Sequence, residues 1–154
     1  LSVFTQAVYA LAERNIPVVV HIILGLPGES RETVLRTIDY LNRLPIQGVK
    51  LQLLHVLSDS DLADLYRAGE YTPLEKEEYL TLVANCIAHL RADIVLHRLT
   101  GDGDKNTLLA PLWSLRKRDV LNHLHRYLRE NHIRQGMSCK IDLSVIYNKP
   151  KDVL

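Results

Sequence analysis

The chain has 154 residues, 47% of them hydrophobic and 24% charged, with 19 Lys and Arg against 18 Asp and Glu for a formal net charge of +1. That length suits one domain with a real core, and so small a net charge argues against a partner held by bulk electrostatics, leaving local patches open. Cys86 and Cys139 are far apart and form no Cys-x-x-Cys pair, so neither a disulfide framework nor a zinc site is implied and a reducing cytoplasm is the expected setting.

In chain order, the spacing of Phe4, Ala7, Val8 and Leu11 predicts a helix over about 2–14, already under way at Leu1. With Met137 as its one methionine, the sequence reads as a fragment whose N-terminal half lies upstream. Residues 17–24 are an apolar run rich in Val and Ile, too short for a helix and apolar on both sides, which predicts a strand covered on both faces. Gly25-Leu26-Pro27-Gly28 breaks it; the two glycines allow backbone angles that other residues resist and let a ligand come close to the main chain. A plain strand-to-helix connection is the alternative. The turn lacks the Gly-Lys-Ser/Thr of a Walker loop. Ser30 is placed to cap a helix over 30–43, with Glu32 in its first turn and Val34, Leu35, Ile38 and Leu41 on one face.

Pro45 to Gly48 turns into a second strand, 49–56. Its period of two sends Val49, Leu51 and Leu53 one way and Lys50, Gln52 and Leu54 the other. In a barrel of strands wrapped by helices the apolar set faces out, which puts Lys50 and Gln52 in the lumen; the same parity puts His21 and Ile23 inward. A short helix over 58–68 would use Leu62 and Leu65 as contacts. Thr72 as N-cap, Pro73 at the first helical position and Glu75 in the reciprocal place predict a long helix to about Arg91, with Leu80, Val83, Ala84 and Ile87 buried. A third strand, 94–99, runs into the polar Thr100 to Asp104 loop. Residues 108–113 contain Pro111 and read as an irregular packed segment. The last helix, about 116–132, carries Val120, Leu121, Leu124, Tyr127 and Leu128 on one stripe and Arg116, Lys117, Arg118, Arg126 and Arg129 elsewhere. Residues 137–154 form a tail with one extra strand at 141–147. No apolar run approaches the roughly 20 residues of a membrane span, so no membrane partner is expected.

The alternation of strand and helix with short loops calls for parallel strands joined by right-handed crossovers. The expected fold is α/β: the C-terminal half of a partial (β/α) barrel of TIM type, residues 1–136, with added C-terminal helices and an open edge.

A family resemblance is carried by Gly25-Leu26-Pro27-Gly28-Glu29 and by an ordered series of five segments after it: Lys50 to Val56; Tyr71-Thr72-Pro73-Leu74; His97 to Asp102; Leu108 to Ser114; and Arg134-Gln135-Gly136. Together they resemble the C-terminal half of the YhcC-like radical S-adenosylmethionine (SAM) proteins, relatives of the Elongator catalytic subunit. The Gly-Leu-Pro-Gly-Glu piece is common in the superfamily, and the ordered series is far more specific. The resemblance implies a four-iron cluster held by a Cys-x3-Cys-x2-Cys loop, reductive cleavage of SAM to a 5′-deoxyadenosyl radical, and hydrogen abstraction from a substrate, with electrons from a donor such as flavodoxin or ferredoxin. Cys86, on a helix, and Cys139, in the tail, cannot supply that loop. The cluster ligands are therefore expected upstream, and the fragment alone is expected to be inactive.

What this half would contribute, on the same resemblance, is the adenine end of the SAM pocket and part of the substrate chamber. In the family's Gly-x-Ile-x-Gly-x-x-Glu strand motif, Ile23 and Gly25 match, while His21 replaces the first glycine and Glu29 falls one position late, so the resemblance assigns Glu29 no role. Ile23 would pack on the adenine face. Leu24, Gly25 and Leu26, together with Leu54, His55 and Val56 on the next strand, would offer main-chain groups to its edge. Lys50 and Gln52, with His21 and either His97 or Arg98, are the substrate and catalytic candidates, because polar groups on a covered strand cost free energy unless they meet a ligand or each other. A purely structural polar network is the alternative for each.

Asp102 and Asp104 lack the later ligands of an EF-hand and read as a turn or lid. Trp113 reads as core, or as a base-stacking ring if the substrate is a nucleic acid, and the basic last helix reads as a solvated face or a contact to RNA phosphates. Two further readings stay open: a nucleic-acid-binding module without chemistry of its own, and an ordinary barrel enzyme using Lys50 as base or Schiff-base nucleophile. The substrate, RNA or a small metabolite, is not specified by these residues.

Overall fold

A computed structural model describes residues 1–101 and 103–141. In chain order its elements are α1 (Ser2–Ala12), β1 (Val19–Leu24), α2 (Arg31–Leu41), β2 (Gly48–Leu53), β3 (Val56–Leu57), α3 (Asp61–Arg67), α4 (Lys76–His89), β4 (Val95–Arg98), β5 (Leu108–Ala110), a 3-10 turn at Leu112–Leu115, and α5 (Lys117–Glu130). β1, β2 and β4 form one parallel sheet in that spatial order, and β3 and β5 form an antiparallel pair. Each crossover between neighbouring parallel strands is helical: α2 between β1 and β2, then α3 and α4 between β2 and β4. The mixed α/β architecture with a parallel sheet agrees with the expected partial barrel.

The two faces of the sheet differ sharply. Ile22 and Leu24 of β1 and Val49, Leu51 and Leu53 of β2 are buried, in one cluster with Val34, Ile38 and Leu41 of α2 and Tyr79, Leu80 and Val83 of α4. Full burial of each such side chain contributes about 1.5–3 kcal/mol. The opposite face carries His21 and Ile23, which are exposed, and Lys50 and Gln52, which are half-buried. The parity expected for both strands therefore holds. α5 packs on α4 through Val120 and Leu124, and Lys76 bonds Asp119 across the two helices at 2.5 Å.

At the N-terminal end of the sheet the chain is sewn together by a buried network. Arg91, 2% exposed, donates to the Asn42 carbonyl at 2.9 Å and the Ile46 carbonyl at 3.1 Å. Its Nε lies 3.0 Å from Asp93 Oδ1, within ion-pair reach though off the line of a hydrogen bond. Asn42 accepts from the Arg91 N–H and donates to the His89 carbonyl, while Gln135 donates to the carbonyls of Arg91 and Ile94. The α2–β2 turn, the α4–β4 turn and the segment after α5 are thus held at one point.

Several expected elements are corrected. The strand over 49–56 ends at Leu53: the Leu54 N–H donates to the Leu24 carbonyl at 3.0 Å, and the chain then leaves the sheet so that Val56 pairs with Ala110. The long helix starts at Lys76, with Glu75 as N-cap, and Thr72 and Pro73 are not helical. The competing signal was Glu75-x-x-Glu78, whose Glu78 carboxylate accepts from the Glu75 N–H at 3.0 Å. Residues 71–74 are instead held across the end of β1, as described below. In α3 the buried residue is Ala63, and Leu65 is exposed. In α1 only Val8 is buried, while Phe4 and Leu11 are exposed. Leu108–Ala110 is a strand, not an irregular segment. The strand expected at 141–147 falls outside the described residues, apart from Ile141.

Candidate functional site

The strands' C-terminal ends and the concave face beneath them bring together most of the expected site residues. β1 and β2 run in register, so His21 lies beside Lys50 and Ile23 beside Gln52. Between β2 and β4 the register shifts at Val49/Lys50, and Lys50 pairs with Arg98. That irregularity sets both His97 and Arg98 beside the Gly48 and Lys50 positions of β2. The His97 ring lies over Gly48, where an added Cβ would fall 2.5 Å from its Cδ2 and Nε2, and Arg98 extends the row of His21 and Lys50. Glycine at 48 is what leaves room for the imidazole.

At the top of β1, Ile23 remains 43% exposed on the concave face and Leu26 is 43% exposed in the turn. Gly25 has φ +90°, a conformation open to glycine, but the close neighbour it admits is the protein itself. A Cβ there would meet Leu74 Cδ1 at 3.1 Å, and the Tyr71 hydroxyl donates to the Gly25 carbonyl at 2.7 Å. Burial holds the Tyr71 phenol above its ordinary pKa, in keeping with its role as a donor. Main-chain groups expected to serve a ligand are in part already used. The Leu24 carbonyl accepts from Leu54, the Gly25 carbonyl from Tyr71 and the Leu26 carbonyl from the Glu29 N–H. Each keeps one lone pair, so what this end offers a flat base is an apolar surface with a few shared acceptors.

His55 does its visible work through its side chain. Its Nε2 lies 3.1 Å from Ser114 Oγ, and that hydroxyl donates to the Pro111 carbonyl at 2.8 Å, so His55 is the donor of the pair. The ring also packs against the Thr100 to Asp104 loop: a Cβ on Gly101 would lie 3.0 Å from its Cε1, and one on Gly103 3.3 Å from its Cδ2. Tyr71 and Ser114 were given no role from the sequence. The only signal for either was a polar group set beside apolar residues in the segments that carry the family resemblance.

Glu29 faces away from the concave side. It lines a cleft of about 480 Å3 with Gly25, Val34, Leu74 and Leu82, its Oε2 is buried without a hydrogen-bond partner, and burial raises its pKa against the opposing pull of a bond to Leu26. Burial first, and then the charge of Glu29, push the Cys86 thiol up to about 12. That thiol is a structural group. Asp104 forms a turn, accepting from the Thr107 and Leu108 N–H groups through its carbonyl and from Asn106 through its side chain; Asp102 falls outside the described residues. Trp113 donates to the Leu74 carbonyl at 3.2 Å and packs on Tyr79, as a core residue does. Among the described residues no group of three or more His, Cys, Asp or Glu is placed to hold a metal, and no helix is long and apolar enough to cross a membrane.

A family model described as the Radical_SAM C-terminal domain matches residues 46–130, from the β2 entry to the end of α5. The chain belongs to this radical SAM family. YtqA of Bacillus subtilis (strain 168) is 32% identical over 133 residues, covering 86% of this chain and 41% of that protein. YhcC of Escherichia coli (strain K12) is 32% identical over 121 residues, covering 79% of this chain and 39% of that protein. The radical SAM chain described here thus spans about two fifths of the length of these curated relatives. Among solved structures, Elp3 of the archaeon Methanocaldococcus infernus, with an N-terminal deletion (1-46), matches with a TM-score of 0.69 at 16% identity, over 84% of this chain and 31% of that chain. At that identity the likeness is one of fold. The expected resemblance to YhcC-like radical SAM proteins is borne out.

Proposed function

We propose that this radical SAM domain supplies one wall of a SAM-binding chamber, working with a cluster-bearing segment encoded upstream. The reading is carried by one observation: Ile23 stands open on the concave face, beside the Gly25 turn, in a chain of the radical SAM family. When bound, SAM and a four-iron cluster would supply a 5′-deoxyadenosyl radical. The residues present fit the nucleoside end of that group. Ile23 gives a face for adenine, the Leu24 to Leu26 carbonyls and the Leu54 to Val56 segment border it, and Tyr71 with Leu74 fixes the turn from behind. Lys50, Gln52, His97 and Arg98 line the floor below, where they would hold and orient a substrate. In β1, the bonds of Val18 and Leu24 to β2 leave the peptide groups of His21 and Ile23 pointing to the free edge, where another strand of the barrel would pair.

The test is anaerobic reconstitution of the longer protein with iron and sulfide, followed by assay for 5′-deoxyadenosine under reduction by flavodoxin or dithionite. Its formation supports the reading. An upstream reading frame without a cysteine triplet, or a loaded protein that leaves SAM intact, overturns it.

A second reading has its own observation. Over residues 116–134, six Lys and Arg stand against Asp119 and Glu130, and Asp119 is already bonded to Lys76. This concentration of positive charge in a nearly neutral chain favours contact with a nucleic-acid backbone through α5. RNA affinity that falls steeply with salt and with Arg126→Ala and Arg129→Ala would support it.

A further inference from the structure

The concave face carries a charge pattern that its own strands leave unbalanced. His21, Lys50 and Arg98 form one row across β1, β2 and β4, and His97 lies over Gly48 beside it. Strands in a sheet are about 4.8 Å apart, so three basic groups stand within roughly 10 Å of one another. The neighbouring positions on the same face are Val19, Ile23, Gly48 and Gln52, so these strands bring no carboxylate to it. Among the described residues none of the four basic side chains makes a hydrogen bond or ion pair, whereas Arg91, at the other end of β4, is matched group by group. Like charges on adjacent strands, here Lys50 beside Arg98, destabilise a sheet. A pair of them that gives the fold nothing in return is the pattern of a site whose counter-charge arrives with a ligand.

A monovalent carboxylate would answer one of these groups. A phosphate, with oxygens directed several ways and a charge near −2, can meet an ammonium and a guanidinium at once. We propose that this face binds a phosphate group of the substrate, with Lys50 and Arg98 as its ligands and His21 and His97 at its flanks. The inference rests on reading the concave face as the substrate chamber, and it adds the substrate class. The phosphate could belong to a small phosphorylated molecule or to a nucleic-acid backbone.

The experiment titrates this chain with inorganic phosphate and follows the ring resonances of His21 and His97 by NMR, with acetate at equal ionic strength as the control. Saturable shifts with phosphate and little response to acetate are expected. Lys50→Met and Arg98→Met should each weaken phosphate binding by about tenfold with unchanged circular dichroism, and Arg36→Met, at an exposed position of α2, should leave it unchanged. Displacement of phosphate by a short single-stranded RNA assigns the group to a nucleic acid; displacement by ribose 5-phosphate but not by RNA assigns it to a small molecule. No shift at either histidine, or the same weakening from Arg36→Met as from Lys50→Met, overturns the proposal. The titration needs neither SAM nor a cluster, so it stands or falls separately from the assay for 5′-deoxyadenosine.

Discussion

Two arginines bracket the β4 strand, and the protein treats them in opposite ways. Arg91, at the N-terminal end, is 2% exposed and bonded to the carbonyls of Asn42 and Ile46, with Asp93 beside it. Arg98, at the C-terminal end, is exposed and has no bonded partner among the described residues. A buried guanidinium is tolerated only when its donors are met, because an unmatched charge in a low-dielectric interior costs several kcal/mol. The N-terminal end of the sheet therefore has its buried polar groups satisfied within the chain, whereas Lys50 and Arg98, on the face away from the helices, have no side-chain partner among the described residues. The same division separates Asn42, with its side chain fully engaged, from Gln52, with none of its bonds made among the described residues.

The largest expected effect breaks the satisfied end. Arg91→Ala strands the Asn42 and Ile46 carbonyls and leaves Asp93 without its cation, at a cost of about 3–5 kcal/mol. For a chain of this size that lowers Tm by roughly 10 °C. Arg98→Ala, by contrast, should stay within about 0.5 kcal/mol of the parent, as surface substitutions do. Thermal melts of the two variants side by side test the comparison directly, and equal losses would abolish it.

Gly25→Val is next, at about 2 kcal/mol, because a β-branched residue at φ +90° is strained and its Cβ would press on Leu74. The loss should appear as instability of the β1 turn, with faster amide exchange at Tyr71 and Leu74. If stability is unaffected and only SAM affinity of the longer protein falls, the glycine serves the ligand and not the chain's own packing.

Ile23→Ser sharpens the open end. The side chain is 43% exposed, so its removal should cost little stability. Covering it with an adenine ring should contribute about 1 kcal/mol, and the variant should bind SAM about fivefold more weakly in the longer protein. Unchanged affinity by calorimetry would move the nucleoside off this face.

How much of this was legible in the sequence follows from which forces are local. β1, β2 and their inward and outward residues could be read because burial imposes a period of two, and Val49, Leu51 and Leu53 obey it without exception. The Ser30 cap could be read because the Thr33 N–H that its hydroxyl accepts from lies only three residues away. What stayed hidden depended on partners distant in the chain. Tyr71 is held in an extended segment by Gly25, 46 residues earlier, which moved the start of α4 past Pro73. His55 was expected to contribute its backbone, and its most evident bond runs from the ring to Ser114, 59 residues on. The placement of both His97 and Arg98 beside the Gly48 and Lys50 positions of β2 came from a register shift that no local pattern announces.

Glu29 lies in the turn between β1 and α2, in the cleft lined by Val34, Leu74 and Leu82, and carries the smallest prediction. Its Oε2 is buried without a partner, and burial holds its pKa above the ordinary carboxylate range even though a bond to Leu26 pulls the other way. A carboxyl whose folded pKa is raised binds its proton more tightly in the folded chain than in the unfolded one. Its ionisation therefore costs stability as pH rises through the folded pKa, and the cost disappears below the unfolded value of about 4.3. Glu29→Gln removes the charge and keeps an oxygen for the Leu26 N–H. At neutral pH the variant should melt slightly above the parent, the gain being small because much of the side chain is screened by solvent. At pH about 3, where both states of the parent are protonated, the difference should vanish. If the variant is instead less stable at neutral pH, the Glu29 carboxylate has a stabilising counterpart in the folded chain, and the β1–α2 turn belongs with the satisfied end of the sheet.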